Sequence, residues 1–145
     1  MLSICSRSTE ETIEIQSTRE AASILMIEDT PGDVVLLTQI LRYALRGQTY
    51  RVMDVPRIAE AFTLIDKESF NIELLDLHLL DSNGLASVAA IHAHVPHIPI
   101  IVYSGTHDEK LKEQAIQCGA KNFLVKGRDS TFLLQFMIEQ LLTRH

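Results

Sequence analysis

The chain has 145 residues, with thirteen Lys and Arg against nineteen Asp and Glu (formal charge −6), and is 46% hydrophobic and 22% charged. That length and balance describe one globular domain with a single core, and the negative charge gives no general attraction to nucleic acid or anionic lipid. No apolar run approaches a bilayer span, no secretion signal opens the chain, and Cys5 and Cys118 are too few for a disulfide framework or zinc site, so a cytoplasmic protein with free thiols is expected.

Residues 1–22 are rich in Ser, Thr and Glu and sustain no regular pattern, so they read as a flexible N-terminal arm before a domain at 23–145. Residues 23–27 form a short apolar strand, β1, of the kind buried on both faces of a parallel sheet. After Glu28-Asp29, Thr30 suits a helix N-cap, Pro31 the first helical position, and Asp33 the positive helix end. Helix α1 follows, with Val34, Leu37, Leu41 and Ala44 on one face, and ends near Gly47. Residues 50–55 read as β2, and Pro56 opens α2, whose Ala61, Leu64 and Ile65 face inward.

Residues 70–76 are β3, an apolar run that stops at Asp76, and α3 spans 84–95 before Pro96 and Pro99. Residues 98–103 are β4, closed by Ser104-Gly105, and Thr106 with Glu109 forms a capping box for α4, which ends at Gly119. Residues 121–126 are β5, and Asp129 or Ser130 caps α5. Strand and helix thus alternate five times, and each crossover is long enough to make the strands parallel and the connections right-handed. A three-layer α/β sandwich follows.

The chemistry gathers at strand ends, where open α/β sheets place their sites. Glu28-Asp29 closes β1, Asp76 closes β3, Ser104 closes β4 and Lys126 closes β5. Three acidic groups with one lysine suit a hard divalent cation and a phosphoryl group, since oxygen ligands hold the first and an ammonium the second.

These residues, with Asp81 and Gly84 in the loop beyond Asp76, resemble the receiver domain of bacterial two-component response regulators, over residues 23–142. Singly each feature is unspecific; in order, each closing a strand, they are specific. The resemblance implies a flavodoxin-like (βα)5 fold with strand order 2-1-3-4-5. It implies Asp76 as phosphoacceptor, with Mg2+ held by Glu28, Asp29, Asp76 and the backbone carbonyl of His78. Lys126 and the Ser104 hydroxyl would hold phosphoryl oxygens, and Ser104 with Phe123 would form the conformational switch. The implied partners are a sensor histidine kinase and a downstream target or phosphotransfer protein.

The apolar residues of α5 (Phe132, Leu133, Leu134, Phe136, Met137, Ile138, Leu141 and Leu142) are too many for one buried stripe, so a homodimer or partner contact through the α4-β5-α5 face is expected. His92, His94 and His97 show no metal-ligand pattern and read as surface residues.

Three positions depart from the family pattern. Leu80 and Gly127 stand where proline is usual, implying a freer loop and a trans Lys126–Gly127 bond. Glu73 falls inside β3, where a carboxylate needs a partner or a raised pKa. Because the chain ends at Arg144-His145, a stand-alone receiver is expected, acting through protein contacts or phosphorelay and not as an enzyme beyond slow self-dephosphorylation. The alternatives are an unphosphorylated scaffold or a module cut from a larger regulator. An aspartyl-phosphate phosphatase would want a carboxylate where His78 stands, and a flavin site would not place Glu28-Asp29 after β1.

Overall fold

The structure is a computed structural model, and it describes residues 21–79, 83–129 and 131–142. The expectations for most of the N-terminal arm, for Leu80 and Asp81, and for the Ser130 cap lie outside the described residues. In order the elements are β1 (Ala22–Ile27), α1 (Pro31–Ala44), β2 (Tyr50–Val55), α2 (Ile58–Lys67), β3 (Ile72–Leu75), α3 (Gly84–His94), β4 (Ile100–Ser104), α4 (Glu109–Gln117), β5 (Asn122–Val125) and α5 (Thr131–Leu142). The strands form one parallel sheet in the order β2-β1-β3-β4-β5, as the family resemblance implies.

Strand side chains alternate between the two faces of this sheet and build two cores. Ile24 and Met26 of β1, Ile72 and Leu74 of β3, and Ile101 and Tyr103 of β4 pack with Leu37 and Leu41 of α1 and with Leu134 and Ile138 of α5. Leu25 and Ile27, Leu75, Ile100 and Val102, and Phe123 and Val125 pack on the other side with Ala61 and Ile65 of α2, Val88 and Ile91 of α3, and Ala115 of α4. This is why β1, β4 and, apart from Glu73, β3 read as near-continuous apolar runs: both of their faces are covered.

Helix starts differ from expectation where two caps compete. Thr30 occupies the N-cap position of α1, but its side chain makes no cap bond. Helix α2 begins at Ile58, two residues after Pro56, because Arg57 is still extended. The capping box of α4 does not form. The Asp108 carboxylate accepts from Lys110 N and Leu111 N, while Thr106 N donates to Ser104 Oγ at 3.1 Å. Asp caps a helix as well as Thr does, and Thr106 is taken by the loop before it.

Gly119 does end α4, at φ +121, and a Cβ there would lie 2.4 Å from the His92 ring. His92 is therefore half-buried against the α4–β5 turn, not a surface residue, whereas His94 and His97 are exposed. Along α5, Leu134 and Ile138 are buried, and Leu133, Met137, Leu141 and Leu142 are partly covered against the α1 core. Phe136 stays 49% exposed.

One carboxylate breaks the apolar pattern. Glu73 pairs in register with Leu25 of β1 and Ile100 of β4, is 0% exposed, and neither carboxylate oxygen has a hydrogen-bond partner among the described residues. Burial alone pushes its pKa from 4.5 to about 8. Between those two values the folded protein holds one proton more than the unfolded chain, so raising the pH favours unfolding. Native stability is expected to fall from about pH 4.5 to about pH 8 and then level off. Glu73→Leu should decline less steeply over this range and be more stable at pH 7 by about 3 kcal/mol, read from urea unfolding. The same pH dependence in both proteins would show that Glu73 is not its source.

Candidate functional site

The strand order reverses at β1, and the groups singled out from the sequence meet just past the carboxyl ends of the strands. Main-chain bonds that continue the ladders pin them there. Glu28 N donates to Val55 O at 3.0 Å, Asp76 N to Ile27 O at 3.0 Å and Lys126 N to Ser104 O at 2.7 Å. Glu28, Asp76 and Lys126 are thus each fixed by a neighbouring strand, so their side chains start from rigid backbone.

The Lys126 ammonium sits among three carboxylates. Its Nζ lies 2.8 Å from Asp33 Oδ2, 3.0 Å from Glu28 Oε1 and 3.6 Å from Asp76 Oδ2. Glu28 and Asp76 are nearly sealed from solvent, at 3% and 4% exposed. Burial pushes the Glu28 pKa up to about 7; the Lys126 bond lowers it and the neighbouring Asp76 raises it. Desolvation works against the charge on Lys126, but the surrounding carboxylates outweigh it and hold its pKa above the ordinary lysine value.

The remaining oxygens are also engaged. Asp76 Oδ1 accepts from His78 N at 3.2 Å, and Glu28 Oε2 accepts from Thr30 N at 3.3 Å. Ser104 is fully buried at the end of β4, and the His78 ring Nε2 lies 3.0 Å from Thr106 Oγ1.

Carboxylate oxygens of Glu28, Asp29 and Asp76 lie within 4.8 Å of one another. An all-oxygen, anionic donor set of this kind fits a hard divalent cation such as Mg2+ and not a soft metal. The structure therefore brings together Glu28, Asp29, Asp76, Ser104 and Lys126. Phe123, 3% exposed, lies inside the α2-α3-α4 core. The loop between β5 and α5 is shaped by Gly127 at φ +79 and by Asp129, whose Oδ2 accepts from Val125 N at 2.6 Å. There is no cis peptide bond among the described residues, so the Lys126–Gly127 bond is trans.

Asp33 is the site residue that the sequence reading missed. Three residues after an N-cap, its carboxylate had a sufficient local explanation in the helix terminus. The bond to Lys126, 93 positions away, leaves no local signal.

The profile of the response regulator receiver domain matches residues 24–137. The chain belongs to the response regulator receiver domain family. It is similar to the alginate biosynthesis transcriptional regulatory protein AlgB of Pseudomonas syringae pv. tomato, 28% identical over 76% of this chain and 24% of that one. It is 33% identical to the transcriptional regulatory protein KdpE of Staphylococcus aureus, over 72% of this chain and 43% of that one. The chain thus spans less than half the length of these curated relatives.

Among solved structures, the receiver domain of a DNA-binding response regulator from Colwellia psychrerythraea 34H superposes with a TM-score of 0.76 at 22% identity, over 85% of this chain and 99% of that one. A CheY-like receiver from Methanospirillum hungatei JF-1 gives 0.72 at 24% identity, over 84% and 94%. Receiver domains are signalling phospho-acceptor domains of two-component systems, not enzymes in the usual sense; Mg2+ at an acidic pocket and a histidine kinase partner are typical of them. No helix among the described residues is long and apolar enough to cross a membrane.

In this receiver the ammonium is the only cation within 4.0 Å of the buried Glu28 and Asp76 among the described residues. Lys126→Met should therefore destabilise the fold by about 3–5 kcal/mol, the usual cost of removing one partner of a buried ion pair. The loss should be larger at pH 8 than at pH 5.5, where a proton can replace the ammonium, and urea unfolding at both values reads it. Native-like stability at pH 8 would show that water already screens these carboxylates.

Proposed function

We propose that this receiver takes a phosphoryl group on Asp76 from a phosphohistidine of a sensor kinase, with Mg2+ bound, and signals through protein contacts or by passing the group on. The observation that carries the reading is the Asp76 carboxylate at the carboxyl edge, 4% exposed, with the Lys126 ammonium 3.6 Å away and oxygens of Glu28 and Asp29 within 4.8 Å. In the transfer an Asp76 oxygen bonds to phosphorus as the phosphorus–nitrogen bond breaks. The electron pair leaves with the imidazole, which takes a proton from solvent.

Glu28, Asp29, Asp76 and the His78 carbonyl would hold the cation, which supplies neutralisation of the approaching negative charge. Lys126 offers N–H donors to a phosphoryl oxygen, and the Ser104 hydroxyl offers another. Accepting from Thr106 N leaves its own O–H free to donate. Catalysis then rests on position and charge, with no acid/base residue, and loss of the group is slow hydrolysis.

Ser104 and Phe123 act as the switch, and the α4-β5-α5 face as the surface that reads it out. Phe136, 49% exposed on α5, and Ile116, 43% exposed on α4, support a homodimer or a protein partner there. Residues 1–22 are proposed as an arm and 23–145 as the receiver. That the chain covers only 24% and 43% of two curated relatives favours a second reading, a module of a longer regulator.

Incubation with phosphoramidate and Mg2+ should add one phosphoryl mass to the native protein and none to Asp76→Asn. Modification of both proteins would move the acceptor elsewhere, and modification of neither would sink the reading. Sedimentation of the phosphorylated protein should show self-association that Phe136→Glu abolishes. A monomer under every condition would remove the homodimer.

A further inference from the structure

Lys126 has three N–H groups to place, and its carboxylate partners are not equivalent. The shorter contacts go to Asp33 and Glu28, at 2.8 and 3.0 Å, and the proposed acceptor Asp76 is left at 3.6 Å. Only the first of these three partners stands on a helix, in the opening turn of α1, and the other two close strands. Their surroundings differ as well: the side chain of Asp33 is 33% exposed, against 2% for Glu28 and 4% for Asp76.

A phosphoryl group on Asp76 would need at least one of these N–H groups. Withdrawing it from Glu28 leaves a carboxylate that is 2% exposed with the long Thr30 N–H bond as its remaining protein donor among the described residues, which is costly. Withdrawing it from Asp33 returns a carboxylate to solvent, beside the positive end of α1, where negative charge is favoured anyway. Of the two short contacts, the one to Asp33 is therefore the one that can be given up.

We propose that Asp33 is a positioning residue of the phosphorylation site, the exchangeable counter-ion of Lys126. In the unmodified protein it draws the ammonium toward α1 and away from Asp76. When the phosphoryl group arrives, the ammonium changes partner and Asp33 turns to water; no covalent bond at either residue is altered. Asp33 thus competes, as an anion, with the phosphoryl group for one cation, and it weakens the phosphorylated state relative to a site without it. This deepens the reading of Asp76 as acceptor and rests on it.

The test compares native protein, Asp33→Asn and Asp33→Glu, each at saturating Mg2+. Two quantities are read: the apparent affinity for trifluoroberyllate, a tetrahedral phosphoryl mimic, from its thermal-shift titration, and the initial rate of phosphoryl gain from phosphoramidate by intact mass. Asp33→Asn keeps the shape and removes the charge. It should bind the mimic roughly two- to fivefold more tightly and gain the group faster by a similar factor, the range expected for a partly exposed ion pair. Asp33→Glu keeps the charge and should stay near native.

Unchanged or weaker binding by Asp33→Asn, with a native protein that is phosphorylated, overturns the role of Asp33 and leaves Asp76 as acceptor. An equal gain in both variants overturns it too, since the fit of the side chain and not its charge would then matter. A native protein that takes up neither probe removes the acceptor reading and this inference together.

Discussion

One ammonium holds the carboxyl edge of this sheet together. Glu28 just past β1, Asp33 on α1 and Asp76 just past β3 all direct oxygens at Lys126, which follows β5. Without it these anions would repel one another in a region that water barely enters, where charge interactions are strongest. With it, three strands and a helix from distant parts of the chain share one electrostatic centre. The same arrangement leaves the site rich in negative charge even after pairing, and an anionic phosphoryl donor cannot approach such a site without a further cation. Structure and proposed chemistry thus depend on the same balance.

A contrast within one strand shows what that balance contributes. Glu73 lies inside β3 and Asp76 just past its carboxyl end, and both are buried, 0% and 4% exposed. Asp76 sits where strand ends expose main-chain donors and where a lysine arrives, and it accepts from His78 N. Glu73 sits mid-sheet between Leu25 and Ile100 with no donor in reach, so only a proton can neutralise it. Position along the strand decides whether a carboxylate becomes a site or a cost.

The sequence made the architecture legible because strands covered on both faces must be apolar throughout, and such runs end abruptly at the residues of the site. Asp76 and Lys126 stand out since each closes one of these runs. Local competitions were harder to read. Thr106 and Asp108 both suit the N-cap of α4; the Asp108 carboxylate takes it, and Thr106 Oγ1 lies instead against the His78 ring. His92 looked like a surface histidine because the glycine that admits its ring, Gly119, lies in a different element. Asp33 was hidden for the same reason: its decisive partner is remote, and a nearer explanation was sufficient.

The loop contacts that sequence could not show also bear on how a signal would leave the site. Ser104 Oγ accepts from Thr106 N, and Thr106 Oγ1 lies against the His78 ring, so the end of β4 is joined to the loop after β3. On the proposed reading, a serine hydroxyl drawn toward a phosphoryl group either carries Thr106 with it or leaves Thr106 N without its acceptor. The first displaces His78 and the approach to α4 together, and the second frees that approach to find another conformation. Phe123 is already enclosed on the same side of the sheet, so no aromatic swing is needed to begin either change. On that same reading the β4–α4 loop would move first, ahead of the Phe123 half of the proposed switch, with Ser104 coupling it to the chemistry at Asp76.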